Sequence, residues 1–177
     1  NLVISGAPAN LTWVGDDNTN PWDLQISATW HNPATSSPDM FNNLDHVTLD
    51  QTGSTTPPVE ILEPVRPGSV TVAGSADYTL GGAGRLSGAM NLLKTGSGTL
   101  TLSNANDFTG TATIAGGTLR LGNHSALGGE AGGTVIENGA TLDLFGFRAG
   151  NDHITVAGAG VNGQGAIINT GATQQDA

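Results

Sequence analysis

Short runs in which every second residue is apolar recur along the second part of the chain. They are SVTV at 69–72, TLTL at 99–102, TATI at 111–114, TLRL at 118–121, TLDL at 141–144 and ITV at 154–156. Apolar residues that alternate with threonine or a charge are the pattern of a β-strand with one buried face. Because glycine bounds most of these runs, the chain is predicted to turn every few residues.

The apolar positions of these runs form two interleaved series with nearly the same spacing. One series is Leu100, Leu119, Leu142 and Ile167, and the other is Val72, Leu93, Ile114, Val135 and Ile154. In both series, successive members stand roughly 20 residues apart, which is the spacing of a solenoid repeat. Two series with one period predict a coil in which each turn supplies at least two strands and stacks on the turn before it. The predicted fold is therefore all-β, a parallel β-helix or β-solenoid.

A β-sandwich is the alternative fold, but its strands usually run longer and need not keep a constant step of roughly 20 residues. In a β-helix, like residues of successive coils stack about 4.8 Å apart. One predicted outward column contains Thr101, Arg120 and Asp143, so a cation stands next to an anion on the adjacent coil. We interpret Arg120 and Asp143 as a surface ion pair worth at most about 1 kcal/mol, and not as a catalytic dyad.

The first part of the chain has a different composition. All eight prolines and all three tryptophans precede residue 69, whereas only four of the 27 glycines do. We interpret residues 1–68 as an irregular N-terminal segment of coils and cap, and residues 69–177 as regular β-helix repeats. The two segments are expected to form one continuous body.

Composition and charge narrow the range of functions. The chain has 177 residues, a net charge of −10 and no cysteine. An acidic chain is repelled by phosphate backbones and anionic lipid surfaces, which argues against nucleic-acid binding. Without cysteine, neither disulfides nor cysteine-based zinc sites can form. No stretch is apolar enough to span a bilayer and no leader peptide is recognisable, so direct membrane insertion is not expected.

The segment LLKTGSGTLTLSNANDFTGTATIAGGTLRLGN, residues 92–123, closely resembles the passenger-associated repeat of bacterial autotransporters, also called the autotransporter-associated β-strand repeat. That pattern has a Lys-Thr-Gly-x-Gly turn, a Leu-x-Leu strand, an Asn-x-aromatic-x-Gly turn and a Gly-Thr-Leu strand. Thr111 departs from it, because members often have a second glycine there. The matching residues are Lys94, Gly96, Gly98, Leu100, Leu102, Asn106, Phe108, Gly110, Gly117, Thr118 and Leu119.

The resemblance extends to the flanking segments and carries implications for fold and function. LTWVGDDNTNPWD and NNLDHVTLDQTG look like the tryptophan-containing segment that precedes such repeats, and ALGGEAGGTVIENGATLDL looks like the coil that follows. The resemblance implies a right-handed parallel β-helix that is exported and is either displayed on the bacterial cell surface or secreted. It implies a role as stalk, scaffold or adhesin, with no catalytic residues. We also expect no cofactor.

Two loops invite a ligand-binding interpretation. GAGVNG at 158–163 matches G-x-G-x-x-G, but a dinucleotide site needs a helix to begin there and an acidic residue about 20 positions later, and neither is expected. Asp16, Asn18 and Asn20 have the alternating oxygen ligands of an EF-hand, yet Pro21 replaces the required glycine. Ser27 also stands where the bidentate glutamate should be. A polar turn is favoured for this loop, with an irregular calcium site as the alternative.

The tryptophans and the charged residues allow further alternatives. Trp13, Trp22 and Trp30 either close the end of the core, which is the favoured interpretation, or stack on sugars. The four histidines, at positions 31, 46, 124 and 153, lack zinc-site spacing. Polysaccharide cleavage needs several charged side chains that converge over adjacent coils. The charged residues of the repeat region are instead spread out, most of them in turns, and we expect no enzyme.

The first functional hypothesis is therefore a structural surface module. Strand-like NLVISG at 1–6 and GAIINTG at 165–171 suggest that neither end of the coil has an obvious helical or polar cap. Uncapped edges are templates for pairing, and a head-to-tail contact that does not close would produce a filament. The expected partners are copies of the same chain or neighbouring repeats of a longer chain. The alternative is a carbohydrate-binding or carbohydrate-cleaving β-helix module with surface glycans as partners, and a fragment of a giant adhesin is a third possibility.

Overall fold

The computed structural model describes residues 7–172, so the prediction for the strand-like segment at residues 1–6 falls outside the described residues. The described residues form short strands joined by turns. In chain order the strands are β1 (Asn10–Trp13), β2 (Pro21–Trp22), β3 (Trp30–Asn32), β4 (Ser37–Asp39), β5 (His46–Leu49), β6 (Val59–Ile61), β7 (Pro64–Val65), β8 (Ser69–Val72), β9 (Tyr78–Gly81), β10 (Arg85–Leu86), β11 (Asn91–Lys94), β12 (Thr99–Leu102), β13 (Ala112–Ile114), β14 (Gly117–Leu121), β15 (Thr134–Ile136), β16 (Ala140–Asp143), β17 (Ile154–Val156) and β18 (Ile167–Ile168).

Strands from successive coils pair in parallel and build two long sheets. The first sheet has the order β17-β15-β13-β11-β8-β5-β1-β3-β4, and the second has the order β18-β16-β14-β12-β9-β6-β2. A short third side contains the parallel pair β7 and β10. Each coil thus contributes one strand to each long sheet, which confirms the predicted all-β parallel β-helix. Pairing of β5 with β8 and of β6 with β9 crosses the predicted boundary at residues 68 and 69.

The register confirms the first of the two predicted apolar series. Leu100 pairs with Leu119, Leu119 with Leu142, and Leu142 with Ile167. The first three of these side chains are fully buried. They form a ladder inside the second sheet, in which each leucine packs on the equivalent residue of the next coil.

The second predicted series is wrong in register. The inward column of the first sheet contains Val72, Lys94, Ile114 and Ile136 instead, and Leu93 and Val135 lie in an outward column. Lys94 is 0% exposed whereas Leu93 is 37% exposed. A shift of one residue in a strand moves a side chain to the opposite face of the sheet. The prediction failed because it assigned the apolar Leu93 to the core, whereas this strand has Leu93 outside and Lys94 inside.

At the first coil a β-hairpin covers the end of the first sheet, a cap that is neither helical nor polar and that the sequence did not reveal. Beyond β1, the first sheet continues as an antiparallel hairpin of β3 and β4. Pro38 lies in β4, the outermost strand, and lacks the N–H group that a further strand would need. Proline on an edge strand is a common protection against unwanted pairing. The hairpin therefore closes this end of the first sheet.

Arg120 and Asp143 pair as predicted, but the pair is less exposed than a surface ion pair. Arg120 Nε lies 2.9 Å from an Asp143 carboxylate oxygen, and the Asp143 side chain is 0% exposed. The carboxylate also accepts hydrogen bonds from Phe145 N, Thr170 N and Thr170 Oγ1. The guanidinium of Arg120 lies over the Phe145 ring, 4.6 Å from its centroid. Asp143 therefore ties three successive coils together.

Removing the charge of Asp143 is expected to destabilise the last coils. Asp143→Asn should lower the free energy of unfolding by about 3 kcal/mol at pH 7, because Arg120 loses its partner and buried hydrogen bonds weaken. The matched control is Asp107→Asn, whose partner Arg85 lies 2.8 Å away in an exposed pair, and this change should cost less than about 1 kcal/mol. Urea unfolding of both variants measures the difference, and equal costs would contradict the structural role of Asp143.

The same carboxylate predicts a loss of stability in acid. Burial raises the pKa of Asp143, but hydrogen bonds from Thr170, Arg120 and Phe145 outweigh this effect and hold the pKa below its ordinary value of 3.8. A lowered pKa in the folded state contributes stability above the unfolded pKa, and that stability is lost as the pH falls through the folded pKa. Urea midpoints of the wild type should therefore fall more steeply below about pH 4 than those of Asp143→Asn.

Candidate functional site

Lys94 occupies the corner between the two long sheets in the coil that carries the predicted repeat. Its ammonium group donates hydrogen bonds to the carbonyl oxygens of Thr95 at 2.7 Å, of Gly96 at 3.2 Å and of Gly116 at 3.2 Å. Gly116 belongs to the next coil. A buried lysine must find such partners, because an unpaired charge in the core costs several kcal/mol. Lys94 therefore satisfies turn carbonyls of two coils at once.

Two of the predicted repeat glycines are required by the geometry of this corner. Gly96 has a φ angle of +70°, and a Cβ atom there would collide with the backbone of Gly74 in the preceding coil. Gly117 has a φ angle of +64°, and a Cβ atom there would lie 2.9 Å from the Lys94 ammonium nitrogen. Backbone in this left-handed region favours glycine. Both positions therefore allow tight turns and close stacking of the coils.

The asparagine and the aromatic residue of the repeat form the third side of the coil. The side chain of Asn106 accepts a hydrogen bond from Leu86 N at 2.9 Å and donates one to the Ala126 carbonyl at 2.8 Å. Leu86 and Ala126 lie in the preceding and the following coil. Phe108 is fully buried and packs in the core. Asn106 therefore adds side-chain hydrogen bonds between coils on the third side, where the described strand pairing is limited to β7 and β10.

The remaining repeat residues are also structural. Leu100, Leu102 and Leu119 are buried in the core of the second sheet. Gly98 and Gly110 lie between strands, and a Cβ atom at either position would collide with the backbone of the preceding coil. None of these repeat side chains leaves an unused polar group that points to a ligand. These repeat residues therefore hold successive coils together.

The three tryptophans lie together at the capped end. Trp13, Trp22 and Trp30 are at most 1% exposed. Trp30 packs edge-to-face on Trp13 and Trp22, with ring centroids 4.9 and 5.0 Å apart, and Phe41 packs on Trp22. Trp13 also donates a hydrogen bond to the Ser54 carbonyl. The rings fill the end of the core and offer no face to a sugar.

Two of the three predicted calcium ligands, Asp16 and Asn20, bind the backbone of their own loop through their side-chain oxygens. One Asp16 carboxylate oxygen accepts hydrogen bonds from the N–H groups of Asn18, Thr19 and Asn20. These bonds hold the pKa of Asp16 below 3.8. The side-chain oxygen of Asn20 accepts from Asp16 N and Asp17 N. Within residues 7–172, no group of three or more histidines and carboxylates lies close enough to hold a metal ion.

The G-x-G-x-x-G segment connects β17 to β18 and contains one turn of 3-10 helix, Val161–Gly163. Val161 N donates a hydrogen bond to the Thr141 hydroxyl, so the segment packs against the second sheet. A three-residue turn has no dipole comparable to that of the α-helix that opens a dinucleotide site. None of the described residues forms a helix long and apolar enough to span a membrane.

The edge of the last coil is the most incomplete surface of the described structure. Val156 continues the inward column of Ile114 and Ile136, both 0% exposed, yet Val156 is 45% exposed. Ile167 continues the leucine ladder of the second sheet and is 43% exposed. Within residues 7–172, no strand pairs with the outer side of β17 or of β18. The edge is therefore the template on which a further coil or another chain could pair.

Two comparisons with known proteins found matches to part of the chain. A family model described as the passenger-associated-transport-repeat matches residues 92–121, which run from β11 to β14. A curated protein named adhesin BmaC autotransporter, from Brucella suis biovar 1 (strain 1330), is 40% identical over 86 residues. This match covers 49% of the chain and 2% of the adhesin, so the chain spans a small part of that relative. No solved structure matches the chain.

Lys94 should make stability depend on pH above neutrality. Burial lowers the pKa of Lys94 to about 8, although the charge of Asp77 opposes the shift, and the ordinary value is 10.5. Between pH 8 and 10 the unfolded chain therefore binds more protons than the folded chain, so stability rises with pH. The rise is expected to be about 2 kcal/mol, and below pH 8 the effect of Lys94 is flat.

The matched variant for this measurement is Lys94→Met, which keeps an unbranched side chain but has no titratable group. Lys94 is the only lysine of the chain, so no other lysine contributes to the signal. Urea unfolding from pH 7 to 10 should show that the wild type gains stability relative to the variant as the pH rises. Parallel pH profiles for the two proteins would show that the pKa of Lys94 is not lowered in the folded chain.

Proposed function

Because the chain carries an autotransporter passenger repeat at residues 92–121, we propose that it is a structural module of an exported surface protein. In this role the β-helix acts as a stalk or scaffold that supports an adhesin, and it performs no catalysis. The named relative is an adhesin and an autotransporter, which supports both the surface location and the role. The continuous parallel stacking of coils is the observation that carries the proposal.

The architecture suits a rigid spacer. Seven strands, β1, β5, β8, β11, β13, β15 and β17, stack in parallel in the first sheet. At about 4.8 Å per strand they extend roughly 30 Å along the helix axis. Each coil is tied to its neighbours by the backbone and by side chains such as Lys94 and Asn106. Such a body transmits force along its axis without a hinge, which a stalk requires.

We further propose that neighbouring repeats of a longer chain cover the edge formed by β17 and β18. The exposed apolar positions on this edge, Val156 and Ile167, continue columns that are buried in earlier coils. A further coil with apolar residues in register would bury both side chains and pair the free backbone groups. The chain spans 2% of its named relative, which is consistent with a long neighbouring chain.

Head-to-tail assembly of separate copies stays a prediction. The hairpin at the first coil limits which edges could take part in it. A head-to-tail contact needs two different edges that match. The hairpin of β3 and β4 covers one of them in the first sheet, with Pro38 on its outer strand. Two copies that meet through the last coil would use the same edge twice and would close as a dimer. We therefore expect isolated chains to form dimers in preference to filaments.

The carbohydrate alternative needs a surface other than the tryptophans, since their rings are buried. The charged residues of the repeat region offer no converging group for cleavage, and the ion pairs of the described residues, Arg85 with Asp107 and Arg120 with Asp143, neutralise four of them. A purely binding role is therefore the form of this alternative that merits a test.

Surface location can be tested in the bacterium that produces the protein. Antibodies raised against residues 7–172 should label intact cells, and extracellular protease should remove the label. A cytoplasmic protein serves as the control and should be labelled only after permeabilisation. Labelling of the chain that also requires permeabilisation would contradict a surface stalk.

Assembly through the last coil can be tested with one variant at each end. Val156→Lys should abolish concentration-dependent dimerisation of the purified chain, because a charge would be buried in the contact. The matched control is Val14→Lys, which changes a valine that is 50% exposed in the first coil region. Analytical ultracentrifugation should show that Val14→Lys still dimerises. Loss of association in both variants would instead support a head-to-tail contact.

A further inference from the structure

Three clefts open around the segment Asn42–Leu44, at the corner where the third side of the helix leads into the first sheet. Two of them have volumes of about 370 and 390 Å³, and both include Leu44 in their walls. A smaller cleft of about 180 Å³ is lined by Asn42 and Asn43. Volumes near 400 Å³ lie within the range of small-molecule sites. The corner is separate from the repeat residues and from the open edge of the last coil.

Leu44 is held at this corner in a strained conformation. Its φ angle is +79°, although it is not glycine, and its side chain is 61% exposed. The backbone is fixed on both sides, because Leu44 N donates to the Arg66 carbonyl at 2.7 Å and Arg66 N donates to the Asn43 side chain at 2.8 Å. An apolar side chain is thus kept in solvent at a conformational cost, a combination that is concentrated at binding sites.

Arg66, which lines the larger of the two Leu44 clefts, has an unused charge. Of the basic residues in the described chain, Arg85 and Arg120 form ion pairs and Lys94 is buried with three carbonyls. Arg148 is also engaged. The guanidinium of Arg66 has no hydrogen bond or ion pair within residues 7–172. In a chain with 15 acidic residues and a net charge of −10, a cation left unpaired is available for a ligand.

We propose that this corner binds a sugar that carries a carboxylate, with Arg66 pairing with the carboxylate and Leu44 packing on the apolar face of the sugar. A guanidinium pairs with a planar carboxylate through two parallel hydrogen bonds. The amide group of Asn43, whose oxygen already accepts from Arg66 N, leaves its N–H donors for a hydroxyl or carbonyl oxygen. Ala89, which is exposed and lines the same cleft, adds apolar surface for the ring or for an acetyl methyl group.

The surroundings favour an acidic sugar over other anionic ligands. Polyanions such as nucleic acids would be repelled by the net charge of the chain. A peptide that binds by strand addition needs a free sheet edge, but β5, which follows this corner, is already paired with β1 and β8 on both sides. Aromatic walls that would hold a proline-rich peptide are absent among the residues that line the clefts. The proposal deepens the carbohydrate alternative and does not depend on the stalk role.

The test titrates the purified chain with N-acetylneuraminate and with glucuronate, using glucose as the neutral analogue of glucuronate, and follows backbone amide signals by NMR. The expected result is saturable shifts at Leu44, Arg66 and Gly88 with at least one acidic sugar, and none with glucose. Arg66→Gln should weaken binding about tenfold or more. Arg85→Gln removes the same charge from an exposed ion pair and should leave binding unchanged. Leu44→Gly, which relieves the positive φ and should keep the fold, should also weaken binding.

Several results would overturn the proposal. These are no saturable shift with either acidic sugar, equal shifts with glucose, or equal affinity in Arg66→Gln and the wild type. Inorganic phosphate or a short peptide with a free terminal carboxylate, titrated in parallel, would overturn the assignment to sugars if either bound more tightly than both acidic sugars. Thermal unfolding of each variant confirms that it is folded. Failure here leaves the surface-labelling experiment unaffected, so the two proposals are tested separately.

Discussion

Parallel stacking of one coil on the next is the constraint on which the rest of the structure depends. A single coil of about 20 residues cannot bury its own apolar face or pair its own backbone groups, so both needs are met by its neighbours. The ladder of Leu100, Leu119 and Leu142 shows the consequence for the core, since each side chain lies directly on the next. Register must therefore be kept over the whole length of the helix, and residues that enforce register have a structural effect beyond their own coil.

Several polar residues enforce register from inside or near the core. Lys94 satisfies carbonyls of its own turn and of the next coil, Asn106 links the coil before to the coil after, and Asp143 joins three coils. Each of these groups would be costly to bury without its partners, so a slipped coil would leave a charge or an amide unsatisfied. Apolar ladders oppose a slip of one residue, which would turn the buried face outward, but a slip of two residues keeps the same face inside. The polar residues thus supply specificity, and the apolar ladders supply most of the burial.

The two ends of the helix differ in how far their sheet edges are protected from further strand pairing. At the first coil, the antiparallel hairpin of β3 and β4 and the buried tryptophans complete the core, and Pro38 blocks further pairing. At the last coil, Val156 and Ile167 leave the inward columns uncovered. Within residues 7–172 the two ends of the first sheet therefore differ, since one is covered by a hairpin and the other is a parallel edge strand. The strained Leu44 and the unpaired Arg66 lie on the side of the body, where binding would not interrupt stacking.

The sequence by itself determined the fold class, the positions of six strands and the stacking of the leucine ladder, because threonine-leucine alternation with a regular repeat period has few other solutions. It also pointed to the pairing of Arg120 with Asp143. The sequence did not reveal that Lys94 faces inward, because the pattern LLK at 92–94 predicts two apolar residues followed by a cation in solvent. The cap at the first coil and the surroundings of Arg66 were likewise decided only by the tertiary structure. Both depend on contacts between residues that are distant in the chain, whereas periodicity reports only the local alternation of faces.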